Sequence, residues 1–300
     1  MVDPSQDTVE LSKTDTFGEK FFAPPHESLR IQFGAATHVG KVRPENEDHY
    51  AVVKRSRSSE VLLTSLSPED FAPSDDHAYT LVVADGIGGA THGELASRLA
   101  LQTMFELASQ ATSWVMRFTD LEVQQVQQRV EAYVERIQST LRKYGQVDPE
   151  LEGMGTTWTS AYLLPPFAVV VHVGDSRAYL FRDGKLNQIT RDETMAQELI
   201  DSGMEPDGVK RFGHILLNSF GGKNVDVSAQ IHQLRFEPGD QLLLCTDGLT
   251  DMVSDDVITR ELSRHAAPQS TCNDLIRLAL EHGGKDNVTA VLATAAASTS

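Results

Sequence analysis

The sequence predicts an α+β protein in which antiparallel β-sheets are covered by helices. Ten short apolar segments have the length and composition of strands, and most follow one another in hairpin-like succession. Four segments with helical periodicity come in two pairs, one before the middle of the chain and one near its end. Strands and helices grouped in this way favour antiparallel sheets over the parallel sheet of alternating βαβ units.

Each predicted strand is a run of mostly apolar residues bounded by turn residues. The runs are residues 31–37, 51–54, 79–84, 156–164, 167–173, 177–181, 186–190, 227–234, 241–245 and 288–294. Pro165-Pro166 separates the fourth run from the fifth, and Asp183-Gly184 separates the sixth from the seventh. Asp-Gly suits the positive-φ positions of a tight turn, so the second dipeptide predicts a hairpin.

The predicted helices carry apolar residues at intervals of three and four. After Gly93, the first helix has a stripe formed by Ala96, Ala100, Met104 and Leu107. The second begins at a capping box over residues 119–122, and its stripe continues over 123–141. Two later segments, 255–265 and 271–282, are also predicted to be helical. Such stripes indicate helices that pack one face on a sheet.

The chain divides into a tail and one domain. Residues 1–30 are polar and lack both strand and helix periodicity, which predicts a flexible N-terminal tail. Residues 31–296 contain all of the predicted strands and helices, and we expect them to form one domain. Within it, residues 54–78 are predicted to be a surface insertion between two strands, because they combine serine, proline and charge.

Composition narrows the classes of function. The 300 residues include 26 Lys and Arg against 43 Asp and Glu, which gives a formal net charge of −17. This excess of acid argues against nucleic acid or an anionic membrane as the main partner, because both require a basic surface. The two cysteines are too few for a disulfide framework, and neither a signal peptide nor a membrane-spanning run is evident. We therefore expect a cytoplasmic protein.

Acidic residues occur at the ends of the predicted strands, several of them next to glycine. They are Glu47, Asp48, Asp85, Asp175, Asp247 and Asp286. Strand ends hold side chains on a rigid frame, and neighbouring glycines let a ligand approach closely, so these carboxylates are candidates for one cluster. An all-oxygen cluster suits the hard cations Mg²⁺, Mn²⁺ or Ca²⁺ better than zinc. Each Asp-Gly taken alone also fits an ordinary turn.

A nucleotide-binding loop is a competing interpretation. The run 79–84 is followed by Gly86-Ile-Gly88-Gly89 and then by a predicted helix, as in the strand–loop–helix of dinucleotide sites. Thr91 occupies the position of the third glycine, and Asp85 would place a negative charge against the pyrophosphate. Both departures disfavour this interpretation.

Seven short motifs are distributed over almost the whole chain. They are Arg43-Pro-Glu-Asn-Glu47-Asp48, Asp85-Gly86-Ile-Gly88-Gly89, Gly155-Thr156-Thr157, Gly174-Asp175-Ser176-Arg177, Thr190-Arg-Asp192, Asp247-Gly248-Leu249-Thr250-Asp251 and Gly284-Lys-Asp286-Asn287-Val-Thr289. In this order they resemble the metal-dependent Ser/Thr protein phosphatases of the type 2C (PPM) family, most closely its compact bacterial branch. The match extends from about Gly34 to Ala293. Each motif alone is weak, whereas the ordered set is specific.

The resemblance implies a fold and an activity. The fold is a four-layer αββα sandwich of two antiparallel sheets flanked by helix pairs, and residues 31–296 are its catalytic domain. The activity is hydrolysis of phosphomonoesters on serine and threonine by direct attack of a metal-bridging water or hydroxide. Two Mn²⁺ or Mg²⁺ ions would lie at one end of the sandwich, and many bacterial members bind a third, weaker ion.

The resemblance also implies a role for each site residue. Asp85 would bridge both ions, Asp247 and Asp286 would complete one site, and Glu47 with the Gly86 carbonyl would hold the other. A third ion would bind Asp175 and Asp251 beside Asp247. Arg43 would bind the substrate phosphate, and Asp48 would accept a hydrogen bond from a metal-bound water. Two divalent ions are needed because carboxylates alone repel a phosphate dianion.

The sequence departs from the family pattern near the site. Ile87 stands where animal and plant members have a histidine proposed as proton donor, so the identity of the general acid stays open. Glu193 stands where the family usually has a histidine. Residues 194–222 correspond to a flap beside the active site, and their sequence differs from that of many bacterial members.

The implied partners are phosphorylated proteins and a Ser/Thr kinase pathway, and we expect a monomer. A catalytically silent phosphatase fold that acts as a binding module is the first alternative. It is disfavoured because silent relatives typically lose ligand residues, whereas Glu47, Asp85, Asp247 and Asp286 are all present. A Ca²⁺-binding sandwich without catalysis is the second alternative, and it would leave Arg43 unexplained.

Overall fold

The computed structural model describes residues 29–58, 75–87, 92–110, 120–222 and 226–297. The strands are β1 Leu29–His38, β2 His49–Ser58, β3 Asp75–Ala84, β4 Gly86–Ile87, β5 Gly155–Thr156, β6 Trp158–Leu164, β7 Phe167–Val173, β8 Arg177–Arg182, β9 Lys185–Gln188, β10 Phe220–Gly221, β11 Gln230–Arg235, β12 Gln241–Cys245 and β13 Val288–Ala297. The α-helices are α1 Gly93–Gln110, α2 Asp120–Val147, α3 Met195–Asp201, α4 Pro206–Val209, α5 Asp247–Thr250, α6 Asp255–Leu262 and α7 Pro268–Glu281.

Two antiparallel sheets of five strands form the centre of the described structure. One has the order β1-β13-β12-β8-β9, and the other has the order β11-β7-β6-β3-β2. Every pairing in them is antiparallel. The very short strands β10, β5 and β4 form a third, three-stranded sheet beside them. The predicted α+β class with antiparallel sheets is confirmed.

Both faces of each central sheet are buried, which explains the nearly continuous apolar runs. In β12, Leu242 and Leu244 point into the apolar layer between the two sheets, where they join Leu81 of β3. Leu243, between them in sequence, points the other way into the layer covered by α6 and α7. Successive strand residues face opposite sides, so a two-sided core needs apolar residues at every position.

The second helix layer covers the other sheet. Val82 of β3 points away from the inter-sheet layer and packs with α1 and α2, including Ala100 and Ile137. Among the described side chains of the predicted stripes, six are buried in this layer: Ala96, Ala100, Met104, Val134, Ile137 and Leu141. The described elements therefore form the four αββα layers that the resemblance implied.

Two predicted boundaries need correction. Leu29 and Arg30, assigned to the tail, belong to β1 and pair with Ala297 and Ala296; the rest of the predicted tail, 1–28, lies outside the described residues. The predicted insertion 54–78 is also shorter, because β2 and β3 continue into it until Ser58 pairs with Asp75. The antiparallel pairing of β2 and β3 thus continues through polar residues, whose sequence does not predict a strand.

Other predictions on element boundaries have mixed outcomes. The hairpin at Asp183-Gly184 is confirmed, since both residues have positive φ between β8 and β9. The predicted strand 156–164 is instead two strands, β5 and β6, separated at Thr157. The start of the capping box, Thr119, lies outside the described residues. Among the described helices, none is long and apolar enough to cross a membrane.

Candidate metal centre

The predicted acidic residues come together at one end of the sandwich. Asp85 follows β3 and Asp247 follows β12, while Asp48 and Asp286 precede β2 and β13. Antiparallel pairing brings these strand ends to the same side, as the pairs His49–Ala84 and Cys245–Ala290 show. Desolvation raises the pKa of Asp85 well above its usual value, and the charges of Asp48, Asp247, Asp175 and Asp286 raise it further.

The backbone of Asp85 is fixed by the residues at the break between β5 and β6. The Thr157 N–H donates to the Asp85 carbonyl (2.9 Å), and the Asp85 N–H donates to Thr157 Oγ1 (3.0 Å). Thr156 Oγ1 donates to the same carbonyl (2.8 Å), and Thr157 Oγ1 also bonds Ser176 Oγ (2.8 Å). Gly155-Thr156-Thr157 and Ser176 thus hold Asp85 in place, a function that sequence analysis left unassigned.

Asp48 is buried, and only one of its two carboxylate oxygens has hydrogen-bond partners in the protein. Its Oδ2 accepts hydrogen bonds from Thr246 Oγ1 (2.8 Å) and Thr289 Oγ1 (2.7 Å), whereas its buried Oδ1 has no protein partner. Burial raises the pKa of Asp48 to about 7, and the two threonine bonds only partly oppose this shift. A buried carboxylate oxygen without a donor is costly, so it points to a missing ligand or water at this position.

Asp247 also has a carboxylate oxygen without a hydrogen-bond partner. Its Oδ1 is buried without a protein partner. Desolvation raises the pKa of Asp247 to about 6, and the charges of Asp251 and Asp286 add to the effect. A Cβ on the neighbouring Gly248 would lie 1.9 Å from the Asn287 carbonyl oxygen. Glycine at 248 therefore lets the Asp286-Asn287 segment approach Asp247.

Asn287 ties the segment before β2 to the segment before β13. Its side-chain amide donates to the carbonyls of Val39 (2.9 Å) and Glu45 (2.8 Å), and its Oδ1 accepts from the Glu47 N–H (2.8 Å). These bonds bring Glu47 to the same end of the molecule as Asp286. Asn287 belongs to a sequence motif, but nothing in the motif indicates this function.

Glu47 lies against the N-terminus of α1. The Gly93 backbone donates a hydrogen bond to its carboxylate, and Ser97 Oγ donates to its carbonyl (2.6 Å). Desolvation nevertheless raises the pKa of Glu47, more than Arg43 and the Gly93 bond lower it. A Cβ at Gly86 would lie 2.2 Å from the Gly93 carbonyl oxygen, so only glycine allows this close approach of β4 to α1.

Arg43 is hydrogen-bonded to one of the predicted metal ligands. Its Nη2 donates to Asp286 Oδ2 at 2.6 Å, and both side chains are partly exposed, at 48% and 36%. This bond is the main cause of the raised pKa of Arg43. This contact uses one nitrogen of the guanidinium fork, so Arg43 can bond Asp286 and a further ligand at the same time.

Asp175 and Asp251 lie beside Asp247. Asp175 is 9% exposed. Desolvation raises its pKa well above the usual value, followed in importance by the charges of Asp247, Asp192 and Asp251. Asp251 is exposed at the C-terminus of α5, and its pKa is also raised, mainly by desolvation. The structure therefore brings the two predicted ligands of a third ion to the same cluster.

Arg177, two residues after Asp175, is the centre of a charged hydrogen-bond network that the sequence did not predict. Arg177 Nη2 and Nε donate to Asp192 (2.7 and 2.8 Å), and Nη1 donates to the Tyr179 hydroxyl (2.9 Å). That hydroxyl donates in turn to Asp255 Oδ1 (3.1 Å). Arg177 and Asp192 were quoted as motif residues, but only the folded chain shows that they pair across 15 positions.

The donor chemistry of the cluster fits hard divalent cations. Its side chains offer only oxygen, two of its buried oxygens lack protein donors, and the mutual repulsion of its carboxylates would be relieved by positive charge. As the side chains stand, however, no three His, Cys, Asp or Glu residues in the described part of the chain are arranged to hold one ion. The Arg43–Asp286 bond gives a reason, because it holds one carboxylate against a guanidinium.

Two residues near the cluster, Cys245 and Ile87, are unsuited to nucleophilic or acid catalysis. Cys245 is buried, and desolvation raises its pKa to about 12, so it stays a thiol at neutral pH. Ile87 lies in β4 and has no proton to transfer. The arrangement therefore suits chemistry in which water reacts under the influence of bound cations.

Comparison with known proteins identifies relatives over most of the chain. Residues 69–293 match the family model described as protein phosphatase 2C. The Ser/Thr protein phosphatase PstP of Mycobacterium tuberculosis is 36% identical over 229 residues, which are 74% of this chain and 42% of PstP. This chain thus spans less than half the length of that relative. The Ser/Thr phosphatase stp of Listeria monocytogenes is 27% identical over 260 residues, 85% of this chain and 92% of the relative.

Solved structures show the same similarity. The catalytic domain of PstP in complex with 2 manganese ions superimposes with a TM-score of 0.69 at 31% identity, covering 90% of this chain and 100% of that domain. Ser/Thr phosphatase Stp1 of Staphylococcus aureus has a TM-score of 0.72 at 28% identity, with 89% and 95% coverage.

Proposed function

The chain belongs to the protein phosphatase 2C family, and we propose that it is a metal-dependent phosphatase of phosphoserine and phosphothreonine residues in proteins. The observation that carries the proposal is the carboxylate cluster around Asp85, with unpartnered buried oxygens on Asp48 and Asp247. Such an oxygen-rich centre suits the hard divalent cations that activate water for hydrolysis of phosphomonoesters.

The cofactor is two Mn²⁺ or Mg²⁺ ions, as supported by the PstP catalytic domain, whose structure contains 2 manganese ions. In our proposal Asp85 is shared, Asp247 and Asp286 complete one site, and Glu47 with the Gly86 carbonyl forms the other. A third, weaker site uses Asp175 and Asp251 beside Asp247. When bound, the ions neutralise the phosphate dianion and lower the pKa of water towards neutrality.

The protein's own groups bind and orient the substrate. The partly exposed guanidinium of Arg43 has the planar donor geometry that matches phosphate oxygens, and its bond to Asp286 is made through Nη2 alone. Asp48 Oδ1, which lacks a protein donor, accepts a hydrogen bond from the attacking water. Bound divalent cations would favour the ionised form of Asp48, in which Oδ1 is an acceptor.

The proposal extends to the substrates and partners of the protein. The relatives named Ser/Thr phosphatases support phosphorylated proteins as the substrates, and a Ser/Thr kinase pathway is our proposal for the source of these phosphoproteins. We further propose that the domain predicted as 31–296, which β1 and β13 extend to 29–297, is the catalytic domain with 194–222 as its flap, and that the protein acts in the cytoplasm as a monomer. A silent binding module is the competing function, and the retained acidic residues speak against it.

Hydrolysis assays on the full chain test the proposal. The wild-type protein should hydrolyse p-nitrophenyl phosphate and a phosphothreonine peptide with Mn²⁺, and EDTA should abolish both activities. Asp85→Ala should retain less than about a tenth of turnover in saturating Mn²⁺, because one carboxylate serves both ions. Asp274→Ala is the matched control, since Asp274 is an ordinary acid on α7 paired with Arg277.

The outcomes separate the two candidate functions. An active wild type with an inactive Asp85→Ala supports the phosphatase. A wild type that binds Mn²⁺ by calorimetry but hydrolyses neither substrate would instead indicate the silent module. Unchanged activity in Asp85→Ala would refute the shared-ligand assignment.

A further inference from the structure

Glu193 lies where the predicted flap, residues 194–222, leaves the sandwich. Its backbone N–H donates to the Gly174 carbonyl (2.7 Å), and its side-chain Oε2 accepts from the Gly174 N–H (2.8 Å). One residue therefore satisfies both backbone groups of Gly174. Gly174 in turn immediately precedes Asp175, the proposed ligand of the third ion.

The same residue also holds the far end of the flap. The Leu217 N–H donates to the Glu193 carbonyl (2.7 Å), and Asn218 Nδ2 donates to Glu193 Oε2 (2.8 Å). The pairing continues for two more residues, through a β-bridge between Thr194 and Leu216 and a bond from the Met195 N–H to the Ile215 carbonyl (2.8 Å). The two ends of the flap are thus joined at Glu193.

Gly174 cannot easily adjust to a displaced Glu193. Its φ is +108°, and a Cβ at this position would lie 2.8 Å from Thr157 Cβ, so the turn is tightly packed against the threonine that holds Asp85. Asp175, next in sequence, is 9% exposed among the acids of the cluster. A shift of the flap base would therefore move the Gly174-Asp175 turn.

We propose that Glu193 is a positioning residue that fixes the base of the flap to the turn carrying Asp175. The inference rests on the proposed phosphatase function and specifies how protein substrates are handled there. A phosphopeptide extends beyond its phosphate, so it is sensitive to the position of the flap. A small aryl phosphate is less sensitive to the position of the flap. Glu193 thus couples the placement of Asp175 to the placement of the flap.

Substitutions distinguish geometry from charge. Glu193→Ala removes both side-chain bonds. Glu193→Gln can keep both, because the two donors bind the same oxygen and an amide oxygen can replace it. Glu198→Ala is the matched control, since it removes an exposed flap carboxylate that bonds Arg191 and not Gly174. Asn218→Ala keeps the bonds between Glu193 and Gly174, and it removes the Asn218 bond to Glu193 together with the Asn218 bond to the Ser228 carbonyl (2.7 Å).

Hydrogen–deuterium exchange without added metal is the first readout, and it is independent of activity. In Glu193→Ala we expect faster amide exchange in residues 173–178 and also in 215–218, while β12 keeps wild-type protection. Glu193→Gln and Glu198→Ala should exchange like the wild type. Faster exchange in only one of the two segments, or in the whole molecule, would overturn the proposed coupling.

Kinetics provide the second readout. Glu193→Ala should lose about tenfold in kcat/KM on a phosphothreonine peptide, because a displaced flap base misplaces the peptide and Asp175, and much less on p-nitrophenyl phosphate. Glu193→Gln should restore the peptide rate, and Asn218→Ala should show part of the loss. Equal losses on both substrates, or a Gln variant as impaired as the Ala variant, would refute the positioning role. A wild type inactive on both substrates would refute the phosphatase function instead, while the exchange experiment would still test the coupling.

Discussion

Arg43 illustrates what a folded structure adds to a residue predicted from a motif. The motif indicated a phosphate ligand, and the structure pairs its guanidinium with Asp286 across 243 positions of sequence. Such a pair cannot be inferred from spacing, because either residue alone is an ordinary polar side chain. By contrast, the gathering of Asp48, Asp85 and Asp247 was predictable, because each adjoins a strand and antiparallel strands place their ends together.

Replacement of Arg43 tests both of its contacts. Arg43→Ala should raise KM and lower kcat/KM by about ten- to a hundredfold, because a charge-assisted contact to phosphate is lost. The dissociation constant for Mn²⁺ should stay equal or fall, because Asp286 loses a competing cation. Steady-state kinetics and calorimetry measure the two quantities. Weaker Mn²⁺ binding with a normal KM would show that Arg43 supports the metal ligands and not the substrate.

Asp175 should affect turnover without affecting the two tighter ions. Asp175→Ala is expected to slow hydrolysis of phosphopeptides more than that of p-nitrophenyl phosphate, because the activated leaving group of the latter needs little proton donation. Metal analysis should still find two tightly bound ions. A variant with a lower melting temperature and an unchanged ratio of the two rates would show that Asp175 only stabilises its turn.

At the scale of elements, periodicity predicted the long strands and helices but not the short strands. β4, β5 and β10 have two residues each, too few for any pattern, yet they join the Gly86 end of β3 to the end of the flap. Their partners are fixed by the larger sheets and helices around them. The same limit applies to the polar ends of β2 and β3, which pair only because the central parts of the hairpin do.

The contact between β4 and α1 provides a prediction at this scale. A Cβ at Gly93 would lie 2.7 Å from the Gly86 carbonyl carbon and 2.8 Å from the Glu47 carboxyl carbon. Gly93→Ala should therefore destabilise the fold by about 1–3 kcal/mol and weaken Mn²⁺ binding, because two proposed ligands must shift. Urea unfolding and calorimetry measure these effects. Gly208→Ala is the control, since no atom lies within 4 Å of its Cβ position. A Gly93→Ala variant that matches this control would contradict the close contact.

At the scale of the whole molecule, the acidic cluster should make stability depend on pH and on metal. Burial raises the pKa of Asp48 to about 7 and that of Asp247 to about 6, in both cases above the value of an unfolded aspartate. Between about pH 4 and pH 7 these two carboxyl groups therefore bind more protons in the folded chain than in the unfolded chain, whereas buried His172, whose pKa desolvation lowers to about 4, binds fewer. Without metal, the contribution of the acidic cluster to the free energy of unfolding should fall as the pH rises through this window. Bound divalent cations favour the ionised carboxylates, so with Mn²⁺ this fall should shrink or reverse.

Urea unfolding from pH 4.5 to pH 7.5, with EDTA or with Mn²⁺, measures this dependence, and an Asp48→Asn variant assigns it to the cluster. The variant removes one buried charge at nearly constant shape, so its metal-free stability should fall less steeply with pH. Repetition at high salt separates the cluster from the net charge of −17, because salt screens surface repulsion far more than interactions between buried groups. If the metal-free slope vanished in high salt, or if Asp48→Asn kept the full slope, the pH dependence would belong to the surface. The carboxylates would then destabilise the metal-free fold much less than their burial and close spacing indicate.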